Sequence, residues 1–200
     1  MPNPSKEFFY QSAYKILNKN KYKKTLDVGC GHLHLYYNIN TEEYHGIDIL
    51  DYSLKMEKNV IYKKINFNDY ETENKFDLIV IHNTINYNGD YDYKEFENNL
   101  KKFNLLLNDG GLLSFNFGHL NPGIHNKINE IVLNEHFDYG FDIVESFKYG
   151  LFHFPVNNLI YHIILRLIKI FPILERNNLG QNFKYFLLKK NKNLTINGWK

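Results

Sequence analysis

The chain has 200 residues, 44% hydrophobic and 16% aromatic, with 24 Lys+Arg set against 22 Asp+Glu. That apolar share excludes an intrinsically disordered chain, and the length suits one domain with a core that needs neither disulfides nor a structural metal. A net charge of +2 with only two arginines, Arg166 and Arg176, offers no general grip on nucleic acid, and one cysteine, Cys30, makes neither an internal bridge nor a Cys-rich zinc site.

The opening residues Met1-Pro2-Asn3-Pro4-Ser5-Lys6 lack the apolar run of a secretory leader, so a reducing, cytoplasmic location is the expectation. Residues 8–17 carry apolar side chains at helical spacing, with Pro4 suited to a first turn. A short basic loop is expected at 19–24. The period then changes. Thr25-Leu26-Asp27-Val28 reads as a buried strand that breaks into a glycine turn, Gly29-Cys30-Gly31. Tyr44-His45-Gly46-Ile47-Asp48 reads as a second strand ending in an acid, and 60–65 as a third. Phe76-Asp77-Leu78-Ile79-Val80-Ile81 is the near-continuous apolar run of a parallel strand covered on both faces.

Residues 92–107 are expected to be helical. Phe96, Leu100, Phe103 and Leu107 recur on one face, and Asp92 with Glu95 resembles a capping box. Asp109-Gly110-Gly111 is expected to end that helix before a strand at 112–117. A helix near 124–133 and strands at 141–147 and 183–189 complete the pattern. Strands alternating with helices predict a Rossmann-like, doubly wound α/β fold: a mostly parallel seven-stranded sheet with helices on both faces. Ligands bind such sheets beyond the carboxyl ends of the strands, so function belongs just after each strand.

Two glycines in Gly29-Cys30-Gly31 let the backbone turn sharply and a ligand approach closely, and Asp48, 21 positions after Asp27, has the acceptors for two ribose hydroxyls. A dinucleotide fingerprint needs a third glycine, and His34 stands there instead. Asp27 would also repel a pyrophosphate, whereas it suits an ammonium group. A cationic amino-acid end near Asp27 and a ribose near Asp48 describe S-adenosylmethionine.

Leu26-Asp27-Val28-Gly29-Cys30-Gly31 resembles the first motif of class I S-adenosylmethionine-dependent methyltransferases, and His45-Gly46-Ile47-Asp48 resembles their second-strand motif. Asn66-Phe67-Asn68-Asp69 with Lys75-Phe76-Asp77-Leu78-Ile79-Val80 is similar to their adenine-contacting loop and fourth strand. Leu106-Leu107-Asn108-Asp109-Gly110-Gly111-Leu112-Leu113 is similar to the turn into their fifth strand. The resemblance spans roughly residues 20–190; Leu33 stands where the family often has a small residue. It implies that Gly29, Cys30 and Gly31 lie at the methionine portion of the cofactor, and that Asp27 orients its amino group. It further implies that Asp48 holds the ribose, Ile49 flanks the adenine ring, and Asn68 and Asp69 meet the adenine. His82 and Asn83 would line the methionine end.

Methyl transfer to a hydroxyl needs alignment and a base. Three histidines follow strand ends: His82, His119 in Gly118-His119-Leu120-Asn121, and His153 in Tyr149-Gly150-Leu151-Phe152-His153. An imidazole titrates near neutrality, and the sequence does not choose among them. No metal is expected, because these strand ends carry His and Asn rather than several acids. The expected activity is transfer to a small molecule, a sugar or glycan precursor first and a lipid-linked acceptor second. Nucleic acid is not the expected substrate. A catalytically inactive binding or partner subunit is the alternative, and a nicotinamide-dependent oxidoreductase ranks behind both.

In residues 158–171 a narrow stripe of Asn158, His162, Arg166 and Lys169 interrupts an otherwise apolar helical run, too short and too charged to span a bilayer. A cap over the substrate pocket, a homodimer surface and a peripheral membrane contact are the three readings. The expected organisation is an N-terminal helix or lid at 1–24, a catalytic domain at 25–190 with a helical cap insertion at about 151–180, and a tail at 191–200.

Overall fold

A computed structural model describes residues 4–52, 57–82, 93–117, 139–149 and 183–191. Among these residues, two α-helices, α1 (Pro4–Leu17) and α2 (Tyr93–Leu106), accompany seven strands. These are β1 (Tyr22–Val28), β2 (Thr41–Asp48), β3 (Val60–Lys64), β4 (Phe76–Ile81), β5 (Leu107–Phe117), β6 (Phe141–Tyr149) and β7 (Phe183–Lys190). The strands form one sheet in the order β3-β2-β1-β4-β5-β7-β6. β1 to β5 run parallel, and β7 lies antiparallel to both β5 and β6. The chain winds outward from β1 to β3, then returns to place β4 against β1. That reversal opens a crevice at the carboxyl ends of β1 and β4, where the glycine turn lies.

Strand alternation sends successive side chains to opposite faces. In β4, Leu78 and Val80 join one core layer while Ile79 and Ile81 join the other. α1 covers the first layer with Phe9, Ala13, Tyr14 and Leu17; α2 covers the second with Phe96, Leu100 and Phe103. The expected seven-stranded, mostly parallel sheet with a helix on each face is therefore present. The helices expected near 124–133 and at 158–171 lie outside the described residues.

Two boundaries differ from expectation. The basic segment at 19–24 is not all loop, because β1 already begins at Tyr22. Tyr22 is buried and its hydroxyl donates to Leu17 O, while the amides of Lys23 and Lys24 donate to the Asp77 carboxylate. Lysines at the exposed amino end of a strand hide its start. Secondly, Asp109-Gly110-Gly111 lies inside β5 rather than before it, at an irregularity in its pairing with β4. Gly110 there has φ of 77°, and a Cβ on Gly111 would come within 2.9 Å of Asn108 O.

Between β1 and β2 the connection is short. Residues 29–40 hold turns and a short 3-10 segment, Tyr36–Asn38, and no α-helix. Leu33 has φ of 58° in this stretch, a left-handed conformation costing a residue with a Cβ roughly 1–2 kcal/mol. Its side chain is 1% exposed and packs in the α1-side layer, and burying a leucine contributes about 1.5–3 kcal/mol. Burial offsets the strain, which explains a leucine where a small residue is the commoner solution.

Candidate functional site: two carboxylates on a glycine turn

The turn after β1 is built around its own hydrogen bonds. Gly29 and Gly31 have φ of 74° and 50°, which glycine adopts without penalty. The amides of Gly29 and Cys30 both donate to Ile47 O, at 2.8 and 3.1 Å, and Gly31 N donates to Asp48 Oδ2 at 3.0 Å. In a phosphate cradle, successive amides of this kind point at the anion. Here all three are used inside the fold. A Cβ built on Gly31 would meet no atom within 4 Å, so the turn is open on that side.

Asp27 lies beneath the turn and is 5% exposed. Its carboxylate accepts a hydrogen bond from the Tyr44 hydroxyl, which stabilises the ionised form. Burial outweighs that bond, and with the neighbouring Asp48 charge pushes the Asp27 pKa up to about 7. Tyr44 reaches Asp27 by lying over Gly46, the residue opposite Asp27 in the β1–β2 register. A Cβ on Gly46 would meet Cys30 Sγ at 2.8 Å and the Tyr44 ring at 3.2 Å, so that glycine makes room for both side chains. Burial, then the charges of Asp27 and Asp48, push the Cys30 thiol well above its usual range, and the buried thiol packs as an apolar group.

Asp48 ends β2 and faces the same turn. Its Oδ2 accepts from Gly31 and its Oδ1 from the amide of Leu50, both at 3.0 Å. A carboxylate has about four acceptor positions, so capacity remains for ligand hydroxyls. Ile49 and Leu50, next in the chain, are 64% and 56% exposed, an apolar shelf beside the acid.

A second loop follows β3. The segment Phe67–Asp69 forms one 3-10 turn, with the Asn66 side chain accepting from Asn68 N. Lys102 of α2 holds it: Nζ donates to Phe67 O at 2.6 Å and to Asn68 O at 2.9 Å, and lies 4.7 Å from the Phe67 ring centre. Asn68 and Asp69 are exposed.

No protein-family model matches the sequence, and no curated protein matches it. Solved structures do. N-methyltransferase NodS from Bradyrhizobium japonicum WM9 superposes with a TM-score of 0.61 at 12% identity, over 95% of this chain and 98% of that one, and a further NodS structure holds S-adenosyl-L-homocysteine. Ribosomal protein L11 methylase from Lactobacillus delbrueckii subsp. bulgaricus gives 0.57 at 12% identity, over 96% of this chain and 81% of that one. The StiE O-MT segment gives 0.58 at 12%, over 94% and 75%. The chain has the fold of the class I methyltransferases.

Within that fold the described site brings Asp27, Gly29, Cys30, Gly31, Asp48 and Ile49 to one turn, with Asn68 and Asp69 on the loop after β3. His82 sits just after β4, buried against α1, with the Phe9 ring edge-on at 4.9 Å. Its Nε2 lies 2.8 Å from Ser114 Oγ, which donates to the Tyr185 hydroxyl at 3.0 Å. Burial pushes the imidazole pKa down to about 3, so the ring is neutral at physiological pH. Asn83, His119 and His153 lie outside the described residues. Sequence reasoning missed Tyr44, Lys102 and the Ser114–Tyr185 pair. Gly46 was the one available signal for Tyr44, since a glycine inside a strand marks close approach by another group.

Proposed function

We propose that this chain is an S-adenosylmethionine-dependent methyltransferase, working in the cytoplasm on a small-molecule acceptor. The observation that carries the reading is the glycine turn itself: its amides are consumed within the fold and a buried carboxylate underlies it. That electrostatic arrangement favours an ammonium and disfavours a diphosphate. Asp27 would hold the amino group, Asp48 the ribose, Ile49 one face of the adenine, and Asn68 and Asp69 its edge. The cofactor supplies an activated methyl on a sulfonium. The protein's part is to orient it and, for a hydroxyl acceptor, to take a proton.

NodS is an N-methyltransferase and StiE an O-methyltransferase by name, so this fold accommodates both acceptor atoms. Our first choice is a hydroxyl of a sugar or glycan precursor, and a lipid-linked acceptor is second. His82, neutral and packed among Phe9, Ser114 and Tyr185, is assigned to lining the methionine end. The base is assigned to His119 or His153. The N-terminal helix α1 is assigned as the lid on the cofactor side, and residues 158–171 are assigned as the cap over the acceptor.

Equilibrium titration with S-adenosylmethionine and S-adenosylhomocysteine tests the core of this reading. Micromolar binding, not displaced by NADH, is expected; a folded sample that stays empty at millimolar cofactor removes the proposal. Binding without methyl transfer to any hydroxyl, amine or lipid acceptor would return the chain to the inactive-module alternative. The Lys102 clamp gives a second handle. Lys102→Met, which frees two carbonyls of the adenine loop, is expected to lower Tm by about 3–6 °C. It should also weaken adenosine-bearing ligands roughly threefold to tenfold, while Lys102→Arg, which keeps the donors, retains most of the affinity. Equal affinities for all three proteins would detach this loop from the site.

A further inference from the structure

The turn accounts for a positive ligand group at Asp27 and for hydroxyls at Asp48, yet the amino-acid end of the proposed cofactor also carries a carboxylate. Among the described residues, four amides of the turn are already used inside the fold. The amides of residues 29, 30 and 31 are spent, and that of Leu33 donates to Cys30 O at 3.0 Å. Residues 29–40 hold no α-helix whose amino end would face the ligand.

One donor pair stands at the same turn. Tyr14 of α1 and His34, three residues beyond Gly31, are joined through Oη and Nδ1 at 2.8 Å. The two rings are stacked at 5.8 Å, and Tyr10 lies against both at 5.5 and 5.0 Å. Asn38 Nδ2 donates to His34 O at 2.7 Å and fixes the backbone there. Tyr14 belongs to the layer that holds Cys30, Leu33 and Tyr44, and the Asp27 charge is one of the causes raising its phenol pKa, after burial and Tyr10. Tyr14 thus shares a layer with Tyr44, the partner of Asp27, and His34 stands three residues beyond Gly31. His34 is exposed, and among the described residues its Nε2 has no other partner.

Proton counting makes the pair a donor in either arrangement. A phenol and a neutral imidazole hold two N–H or O–H protons between them, and their mutual bond uses one. If Tyr14 donates to Nδ1, the Nε2–H remains; if Nδ1–H donates to Oη, the tyrosine proton remains. We propose that the Tyr14–His34 pair receives the carboxylate of the ligand whose ammonium sits at Asp27, so that the turn reads an α-amino-acid zwitterion rather than a simple amine. This rests on the cofactor assignment above and adds its second charge.

The test compares S-adenosylmethionine with its decarboxylated form, which keeps the sulfonium, the ammonium and the adenosine and lacks only the carboxylate. The wild-type chain is expected to prefer the carboxylated ligand at least tenfold, the scale of one charge-assisted hydrogen bond. His34→Ala should erase that preference while leaving the affinity for the decarboxylated form within about twofold, since that ligand makes no use of the lost donor. His34→Gln, which restores an N–H at a similar reach, should recover part of it, and Tyr14→Phe should reduce it. A wild-type chain that binds both ligands equally overturns the proposal, as does a His34→Ala variant that weakens both in proportion. A wild-type chain that binds neither overturns the cofactor assignment itself, a result distinct from the other two.

Discussion

Asp27→Asn is expected to abolish measurable cofactor binding while making the ligand-free protein more stable at pH 8. The two effects have one cause. Asp27 is buried, and its pKa of about 7 stands well above the ordinary value of 3.8. The folded chain therefore binds a proton more tightly than the unfolded chain does. Between about pH 4 and pH 7 the native state carries the extra proton, and stability falls as pH rises through that window. A shift of this size corresponds to roughly 4 kcal/mol lost by pH 8. Asparagine has no charge to desolvate and still accepts the Tyr44 hydroxyl, so the variant should lose this slope and gain several degrees in Tm above pH 7. It also leaves the ligand ammonium buried without its counter-charge, a defect of about 3–5 kcal/mol, or more than 100-fold in affinity. In the wild-type chain, affinity for S-adenosylmethionine should rise with pH up to about 7 and then level off, because only ionised Asp27 pairs with the ammonium. Thermal melts from pH 4 to 8 and cofactor titrations at the same points check both halves. Undiminished binding by Asp27→Asn would mean that the ammonium lies elsewhere.

Much of this was legible in the sequence because it is local. The β4 run needs no partner to be recognised: Leu78, Ile79, Val80 and Ile81 alternate between two core layers, and both layers are apolar. The glycine turn and Asp48 were legible for a similar reason, since left-handed backbone and a strand-end acid have few alternative uses. What was hidden depends on distant contacts. The Tyr44–Asp27 bond spans two strands, the Lys102 clamp joins α2 to the loop after β3, and the Tyr14–His34 pair joins α1 to the turn. Tyrosine and lysine in those segments are equally compatible with packing or solvent. The start of β1 was masked by its lysines, whose backbone amides answer to Asp77, more than fifty residues away. The fold of the 29–40 connection was hidden too, since it turns on burial of a left-handed Leu33 in the α1-side layer.

Asp48 gives the converse of the Asp27 result. Its two oxygens staple the glycine turn and the start of the Ile49–Leu50 shelf, through Gly31 N and Leu50 N, before any ligand arrives. Asp48→Ala removes both acceptors and leaves two amides seeking water. A loss of about 2–3 kcal/mol, or roughly 5–10 °C in Tm, is expected, with cofactor affinity reduced 100-fold or more. Asp48→Asn is the more telling variant. Whichever way the amide is turned, its NH2 faces a backbone N–H, at Gly31 or at Leu50, and a donor then meets a donor. We therefore expect Asn to be nearly as damaging as Ala to both stability and binding, although it is isosteric with the acid. The contrast between the two carboxylates follows from their partners. Asp27 is strained by burial and serves the ligand, so its amide variant folds better and binds worse; Asp48 is satisfied by the backbone and serves both, so its amide variant folds worse and binds worse. Denaturant unfolding beside cofactor titration separates the two patterns, and an Asp48→Asn protein as stable as wild type would show that the turn does not depend on that acid.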